Sequence, residues 1–171
     1  RDGSLTGVVM VFKDVTEKHS LNRKITYQAS HDALTGLINR REFENRLTES
    51  LLTARSDEGT THALMYLDLD QFKLVNDTCG HQAGDRLLKQ ITGLLQTRIR
   101  TSDTIARLGG DEFGVLLQDC TADRAAKIAD SLRQAIREYR FEWQDGAMNV
   151  GVSIGIVEIN SASENIASVM A

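Results

Sequence analysis

The sequence predicts an α+β domain in which helices cover a mostly antiparallel central sheet. Strand-like apolar segments alternate with amphipathic helical segments, and two of the strand-like segments flank a Gly-Gly pair. Of the 171 residues, 41% are hydrophobic and 26% are charged, which is typical of a globular domain and excludes disordered, collagen-like and low-complexity chains. The length fits one domain with a short extension.

The first thirty residues predict a strand followed by a thin helix. Residues 5–12 are β-branched and apolar with nothing before them to pair with, so we expect residues 1–16 to be the last strand of an upstream domain. Residues 17–30 predict a connector helix whose apolar stripe is too narrow to bury much surface alone. A two-stranded coiled coil would also suit this helix, which leaves a dimerisation module as an alternative.

The main domain is expected over residues 31–171. Asn39 followed by Glu42 predicts the start of a helix with apolar residues at every fourth position. The elements expected after it are a strand at 63–69, a loop at 72–84, a helix at 85–99, a hairpin of two strands over 104–117, a helix at 122–139 and a strand at 149–159. Without the entry helix that begins after Asn39, the order is β-α-β-β-α-β, the plan of the ferredoxin-like class.

Charge, cysteine content and the lengths of the apolar runs limit the partners. A net charge of −4 argues against a duplex-DNA-binding protein, so no nucleic acid partner is expected. No apolar run approaches the roughly 20 residues of a membrane span, and no signal-peptide pattern is visible, so no membrane contact is expected from this segment. Two cysteines suggest reduced thiols, and we expect a cytoplasmic protein.

Carboxylates gather at one predicted edge of the sheet. Asp68 and Asp70 end a buried strand two residues apart and so project from the same face. Asp111 and Glu112 lie at the tip of the hairpin that the fold plan places beside that strand. Oxygen ligands without His or Cys suit Mg²⁺ brought in on substrate phosphates, where paired ions assist an in-line phosphoryl displacement. The alternative is a set of solvated turn residues.

The adjacent Gly109 and Gly110 allow two interpretations. A hairpin turn needs residues that accept positive φ. Two residues without side chains also let a phosphate or a ribose approach the backbone closely. Both interpretations can hold together.

Five ordered blocks of the chain resemble the GGDEF family, the diguanylate cyclases. They are HDALTGLINRREF (31–43), YLDLDQFKLVNDTCGHQAGD (66–85), RTSD (100–103), RLGGDEF (107–113) and VGVSIGI (150–156). The resemblance implies a fold like the palm of nucleotide cyclases and polymerases, and the condensation of two GTP into cyclic di-GMP plus two pyrophosphates. It also implies Mg²⁺, or Mn²⁺ in its place, and a homodimer in which each subunit holds one GTP.

The resemblance assigns the acidic residues their roles. Asp68, with the Leu69 carbonyl beside it, matches the first metal ligand. Asp111 matches the position proposed to accept the proton of the ribose 3′-hydroxyl, and it also contacts metal. Glu112 matches the remaining metal-binding carboxylate and completes the catalytic pair. The Gly109–Gly110 turn would contact GTP.

The same resemblance assigns a GTP site to the segment after the first buried strand. Asn76 and Asp85 match the pair that binds the guanine edge, which suits an amide and a carboxylate. Lys73 and the Phe72 backbone match the phosphate-contacting loop. As alternatives, Asn76 is a good turn residue, Asp85 a good helix N-cap and Lys73 a solvated charge.

Arg100 and Asp103 match the position of the family's inhibitory site for cyclic di-GMP. There Arg100 would fork onto guanine acceptors and Asp103 would accept from ring nitrogens. The composition predicts about one RxxD match by chance, so the argument depends on its position ahead of GGDEF. A helix-terminal Arg followed by a strand-entry Asp is the alternative.

Both ends of the chain carry expectations from the resemblance. Residues 1–16 resemble the closing strand of a PAS sensor domain, and the segment from 140 onward resembles proteins with a downstream EAL phosphodiesterase domain. Ala171 lies within what resembles the start of the family's last helix, whose Lys and Arg reach the GTP phosphates, so residues 31–171 are expected to be a truncated domain with weak or no turnover alone. The alternative function is a catalytically silent module that binds GTP or cyclic di-GMP and regulates a fused EAL phosphodiesterase.

Overall fold

The computed structural model describes residues 26–57, 59–144 and 146–169. The predicted strand at residues 5–12 and most of the connector helix lie outside these ranges, whereas residues 26–30 are helical. The elements after them are β1 (Ile38–Asn39), α1 (Arg40–Ser56), β2 (His62–Asp70), α2 (Phe72–Cys79), α3 (His81–Arg98), β3 (Thr104–Gly109), β4 (Glu112–Leu117), α4 (Ala122–Glu138), β5 (Arg140–Trp143), β6 (Gly146–Asn149), β7 (Gly151–Ile159) and α5 (Ile166–Val169).

A sheet with the strand order β1-β3-β4-β2-β7 forms the centre of the domain. The short β1 pairs in parallel with β3, and the other neighbours are antiparallel. Without β1, the strands follow the β-α-β-β-α-β connectivity, which confirms the predicted α+β fold. Because β2 lies between β4 and β7, most of its residues are buried, as expected for a central strand.

The alternation of side chains along β2 divides the core into two layers. Leu67 belongs to the layer formed with α3 and α4, where it shares a cluster with Leu87. Leu64 belongs to the layer formed with α1, where it shares a cluster with Phe43. Since side chains two residues apart share a face, Asp68 projects from the α1 side of the sheet, at a position that is exposed to solvent.

The start of α1 follows the predicted capping pattern. The Asn39 Oδ1 accepts a hydrogen bond from the Glu42 backbone N–H at 3.0 Å, which confirms the N-cap. The Glu42 carboxylate accepts from Arg46 at 3.1 Å instead of returning to the Asn39 backbone. The predicted apolar positions Phe43 and Leu47 are fully buried.

The prediction of a loop at residues 72–84 is wrong. A single left-handed residue, Gln71 with φ 61°, leads from β2 directly into α2. Gly80, with φ 84°, then separates α2 from α3. Phe72 and Val75 give α2 a buried face that is too short to produce a clear helical period in the sequence. Since α3 begins at residue 81, the alternative N-cap role for Asp85 is also wrong.

The small sheet formed by β5 and β6 was not predicted. Phe141 is fully buried, and its ring centroid lies 6.3 Å from that of Trp143. The Arg86 guanidinium lies 5.8 Å from the Trp143 ring centroid. The two aromatic residues thus lie in a hairpin of their own, and the last long strand begins at Gly151 rather than at residue 149. Among the helices of the described residues, none is long and apolar enough to cross a bilayer.

Candidate functional site

The predicted hairpin turn lies at Gly109 and Gly110, between β3 and β4. Their φ angles are 153° and 49°, a backbone region that favours glycine. A Cβ atom added to either residue would meet nothing within 4 Å, so the main chain of this turn is open to an approaching ligand. The positive φ angles confirm the structural interpretation of the pair, and the open main chain leaves room for the ligand that the other interpretation predicts.

The hairpin carries its acidic residues to the end of β2. Glu112 and Asp68 are direct partners across the β4–β2 pairing. The Leu69 backbone N–H donates to the Asp111 carbonyl oxygen at 3.4 Å, which connects the turn to the same strand end. Asp68, Asp111 and Glu112 therefore meet at one edge of the sheet. A cleft of about 350 Å³ opens beside them and is lined in part by Tyr66.

The electrostatics of this edge favour a bound cation. Burial raises the pKa of Asp68, and the negative charges of Asp111, Glu112 and Asp70 raise it further. Within the described residues, no group of three or more His, Cys, Asp or Glu side chains is arranged to hold a metal ion by itself. Carboxylates without His or Cys fit Mg²⁺, which commonly binds through one or two carboxylates and completes its shell with substrate phosphates.

The neighbouring Asp70 has a different role from Asp68. Its Oδ1 accepts a hydrogen bond from the Ser153 Oγ at 2.7 Å, across the β2–β7 pairing. Its other carboxylate oxygen occupies the space that a Cβ atom of Gly151 would take. Asp70 is therefore held against β7, whereas no hydrogen-bond donor contacts the Asp68 carboxylate within the described chain.

Arg40 is a site residue that the sequence did not indicate. Its Nε donates to the Leu108 carbonyl oxygen at 3.0 Å, and a second guanidinium nitrogen donates to the Glu112 Oε2 at 3.2 Å. The first residue of α1 thus holds one acidic residue of the β3–β4 hairpin. No spacing rule relates positions 40 and 112, because their proximity depends on the whole sheet.

A second polar cluster supports the turn from the opposite side. The Arg107 guanidinium donates to the Gly110 carbonyl oxygen at 2.8 Å and to the Asp32 carboxylate at 3.2 and 3.3 Å. Thr35 donates to the Asp32 Oδ1 through its backbone N–H at 2.9 Å and its hydroxyl at 2.7 Å. Burial would raise the pKa of Asp32, but the Thr35 hydrogen bonds and the Arg107 charge lower it below its ordinary value.

The first turn of α2 offers free backbone donors close to the acidic edge. Leu74 and Val75 donate to the Gln71 carbonyl oxygen, whereas the N–H groups of Phe72 and Lys73 have no backbone partner within the described residues. The N-terminus of a helix favours an anion such as phosphate. Phe72 packs inward and Lys73 is exposed, in agreement with a backbone role for the first and a side-chain role for the second.

The fold brings Asn76 and Asp85 onto two adjacent helices, α2 and α3. Asn76 contacts α3 at Gly84, the residue before Asp85. Within the described chain, neither the Asn76 nor the Asp85 side chain has a hydrogen-bond partner, so both polar groups are available to a ligand. The pair predicted to contact guanine is therefore close in space.

Arg100 and Asp103 lie at the opposite end of β3 from the Gly-Gly turn. They line a cleft of about 350 Å³ together with Arg46 and His31. The Asp103 Oδ1 accepts a hydrogen bond from the Gln118 backbone N–H at 3.1 Å, so part of its function is structural. The Arg100 side chain is exposed and has no partner within the described residues.

Comparison with known proteins gives consistent results. The family described as "Diguanylate cyclase, GGDEF domain" matches residues 29–171. The chain is 47% identical over 169 residues to the probable diguanylate cyclase DgcE of Escherichia coli (strain K12), which covers 99% of this chain and 15% of DgcE. It is 40% identical over 155 residues to the cyclic di-GMP phosphodiesterase PdeB of Shewanella oneidensis, which covers 89% of this chain and 17% of PdeB.

Among solved structures, the coiled coil and GGDEF domain of DgcB from Caulobacter crescentus, in complex with c-di-GMP, has a TM-score of 0.84 with this chain. The two are 28% identical in sequence, and the match covers 91% of this chain and 82% of the other. The chain therefore spans most of the solved DgcB fragment, but less than a fifth of the length of DgcE or PdeB.

Proposed function

This chain belongs to the GGDEF family of diguanylate cyclase domains, and we propose that it condenses two GTP molecules into cyclic di-GMP with release of two pyrophosphates. The observation that carries the proposal is the meeting of Asp68, Asp111 and Glu112 beside the open Gly109–Gly110 turn. Burial and the charges of the neighbouring carboxylates raise the pKa of Asp68, and a bound cation would compensate the negative charge of this edge.

In the proposed reaction, the ribose 3′-hydroxyl of one GTP attacks the α-phosphorus of the other. A 3′–5′ phosphodiester bond forms, the bond to the pyrophosphate leaving group breaks, and Asp111 accepts the hydroxyl proton. A second, equivalent displacement closes the ring. Mg²⁺ held by Asp68, Asp111, Glu112 and the Leu69 carbonyl would neutralise phosphate charge and lower the pKa of the attacking hydroxyl.

The GTP site extends along α2 and α3. The free N–H groups of Phe72 and Lys73, with the Lys73 ammonium, would bind the phosphates. Asn76 and Asp85 would bind the guanine edge, because an amide and a carboxylate together offer the acceptors and the donor that guanine requires. The proposed phosphate contacts lie in the first turn of α2 and Asn76 lies in its last turn. The phosphates and the base would therefore bind at opposite ends of this helix.

The proposed reaction requires two subunits. Each subunit holds one GTP, and a two-fold axis would bring the two ribose hydroxyls opposite the two α-phosphates. We assign residues 1–16 to the end of a PAS-like domain, residues 17–30 to the connector helix and residues 31–171 to the GGDEF domain. Similarity to the coiled coil and GGDEF domain of DgcB supports a helical connector ahead of this domain.

Arg100 and Asp103 are proposed as the inhibitory cyclic di-GMP site. Arg100 has a free guanidinium beside a cleft large enough to admit part of a nucleotide. Replacing Arg100 by Ala is expected to raise the product concentration needed for half inhibition, without changing the initial rate. Equal inhibition of both forms would contradict the assignment.

The second candidate is a catalytically silent module that binds GTP or cyclic di-GMP and regulates a fused EAL phosphodiesterase. The observation that favours it is the 40% identity to PdeB, a cyclic di-GMP phosphodiesterase. This function needs the base and phosphate contacts but not turnover. The two candidates therefore differ in pyrophosphate release and not in GTP affinity.

The deciding experiment measures the conversion of GTP to cyclic di-GMP by the full protein in the presence of Mg²⁺. The Asp111→Ala variant is the control. Product from the wild type alone supports the cyclase. GTP binding without product or pyrophosphate from the wild type supports the regulatory module, and product from the variant at the wild-type rate contradicts the role of Asp111.

A further inference from the structure

The glycine at position 84 has no conformational reason to be a glycine. It lies in the first turn of α3, and glycine is the least favourable helix residue after proline. Its φ is not positive, unlike that of Gly80 at the start of the same helix. The geometry gives another reason for a glycine at this position: no space is left for a side chain.

The space at Gly84 is occupied by Asn76. A Cβ atom on Gly84 would coincide with the Asn76 Oδ1 and would lie 3.0 Å from its Cγ. The same Cβ would lie 3.1 Å from the Cζ of Phe72. The Asn76 side chain therefore lies directly on the backbone of α3, in a notch that exists because residue 84 has no side chain.

The Asn76 backbone cannot easily move away from this notch. Its carbonyl oxygen accepts a hydrogen bond from the Gly80 N–H at 2.9 Å, which closes the end of α2. Phe72 and Val75, on the same helix, are buried in the core cluster that also contains Ala83. A side chain at residue 84 would thus be accommodated by rotation of the Asn76 amide and a small shift of the Phe72 ring, rather than by separation of the helices.

We propose that Gly84 determines the nucleobase specificity of the GTP site by allowing the Asn76 amide to lie beside Asp85. This inference rests on the proposed GTP-binding function. Gly84 itself contacts no base and acts as a positioning residue. It sets the distance between an amide on α2 and a carboxylate on α3, and guanine needs both groups at once.

Replacement of Gly84 by Ala is the direct test. The methyl group is expected to displace the Asn76 amide, to weaken GTP binding about tenfold, and to reduce the preference for GTP over ATP by a similar factor. Gly93→Ala is the matched control, since Gly93 lies in the same helix, is exposed, and a Cβ there meets nothing within 4 Å. The control should bind GTP with the wild-type Kd.

A double-mutant cycle separates this role from a general packing effect. If Gly84 acts through Asn76, then Gly84→Ala will have almost no further effect in the Asn76→Ala background, because the obstructed amide is gone. Calorimetry of GTP and ATP binding to the full protein provides the four Kd values of the cycle for each nucleotide, and thermal unfolding of each variant provides its Tm. The Tm of Gly84→Ala is expected to stay close to that of Gly93→Ala.

The outcomes are distinguishable from failure of the proposed function. Unchanged GTP affinity in Gly84→Ala, or an equal loss in the presence and absence of Asn76, overturns the inference while leaving GTP binding intact. If the wild type does not bind GTP, the proposed function and this inference fall together. If the wild type binds GTP without turnover, only the proposed chemistry fails, and the Kd values still decide the role of Gly84.

Discussion

Two carboxylates of this domain, Asp32 and Asp68, lie on opposite sides of the same turn and in opposite environments. Asp32 accepts hydrogen bonds from Thr35 and Arg107, and these interactions lower its pKa. Asp68 is surrounded by other acidic residues and has no hydrogen-bond donor within the described chain, and burial and like charges raise its pKa. One carboxylate is satisfied by the protein, and the other is not.

This difference separates a carboxylate that helps to hold the fold from one that is available to bind a ligand. A satisfied ion pair such as Asp32–Arg107 can stabilise the fold, because its charges are compensated in the folded state. An uncompensated carboxylate such as Asp68, placed among like charges, opposes folding, and its position is explained by a ligand that binds after folding. The Arg107 side chain connects the two regions, since it also donates to the Gly110 carbonyl oxygen.

The largest expected effect is on turnover. Replacing Asp111 by Ala removes the proposed proton acceptor and should lower the rate of cyclic di-GMP formation by about a hundred- to ten-thousand-fold. The Tm should not fall, because the change also removes a negative charge from a repulsive group. The rate is measured by chromatography of the nucleotide products, and a parallel loss of Tm would show that Asp111 is structural instead.

The next effect is on stability and concerns the satisfied carboxylate. Asp32→Ala leaves Arg107 without its partner and should lower the free energy of unfolding by about 1–3 kcal/mol. Asp130→Ala is the control, because Asp130 forms an exposed ion pair with Arg133 on the surface of α4 and should cost less than about 1 kcal/mol. Urea unfolding measures both free energies of unfolding. Equal losses in the two variants would show that the Asp32–Arg107 pair stabilises the fold no more than an exposed surface ion pair.

A smaller effect is expected at Arg40, which donates to Glu112 at the acidic edge. Arg40→Ala frees Glu112 from its guanidinium partner and should lower kcat/KM for GTP by roughly three- to tenfold, while stability changes by less than about 1 kcal/mol. Arg40→Lys should recover part of the loss, because it restores the charge but not the second hydrogen bond. Arg133→Ala is the control for removal of an exposed arginine. Wild-type kcat/KM in Arg40→Ala would show that this contact is incidental.

The smallest effect is a pair of opposite pH dependences. The lowered pKa of Asp32 means that the unfolded chain binds more protons there, so its stabilising contribution is complete above the ordinary Asp pKa of about 3.9 and is lost as the pH falls through the lower, folded value. The raised pKa of Asp68 has the reverse consequence, because the folded chain holds that proton more tightly. Its destabilising contribution grows as the pH rises from about 3.9 through the higher, folded value.

Metal-free urea unfolding between about pH 3 and pH 6 tests both signs. The stability of the wild type relative to Asp32→Asn should increase with pH, and its stability relative to Asp68→Asn should decrease. Parallel curves for the two variants would contradict the contrast between the two carboxylates.

The sequence predicted the elements whose apolar residues recur at a clear helical or strand period, and the residues that belong to one local motif. The α1 start at Asn39, the central strand and the Gly-Gly turn are local features, and all three were found as expected. The short helix α2 was missed, because eight residues with two buried positions give no reliable period. The β5–β6 hairpin was missed although Asp145-Gly146 is a common hairpin-turn pair, because the flanking segments RFEW and AMN are too short and too polar to form clear apolar runs.

The residues of the candidate site likewise fall into those that the sequence could predict and those that it could not. Asp68, Asp111 and Glu112 could be placed together because a strand pairing relates them, and strand pairing follows from the fold plan. Arg40 and the Asp32–Arg107 pair could not, because their contacts depend on the packing of α1 and of the segment before it. Gly84 was also beyond prediction, since its function is to leave a space for a side chain on another helix.

The location of Trp143 determines what can be observed by optical methods. It is the single tryptophan of the chain, it belongs to the two-stranded sheet and not to the central one, and the Arg86 guanidinium lies over its ring. Tryptophan fluorescence therefore reports on the small hairpin and on the start of α3, one residue from Asp85. The ring also packs against the core cluster that the central sheet shares with α3 and α4, and circular dichroism follows the unfolding of the secondary structure as a whole. Agreement between the two signals would show that the hairpin and the central sheet unfold as one cooperative unit.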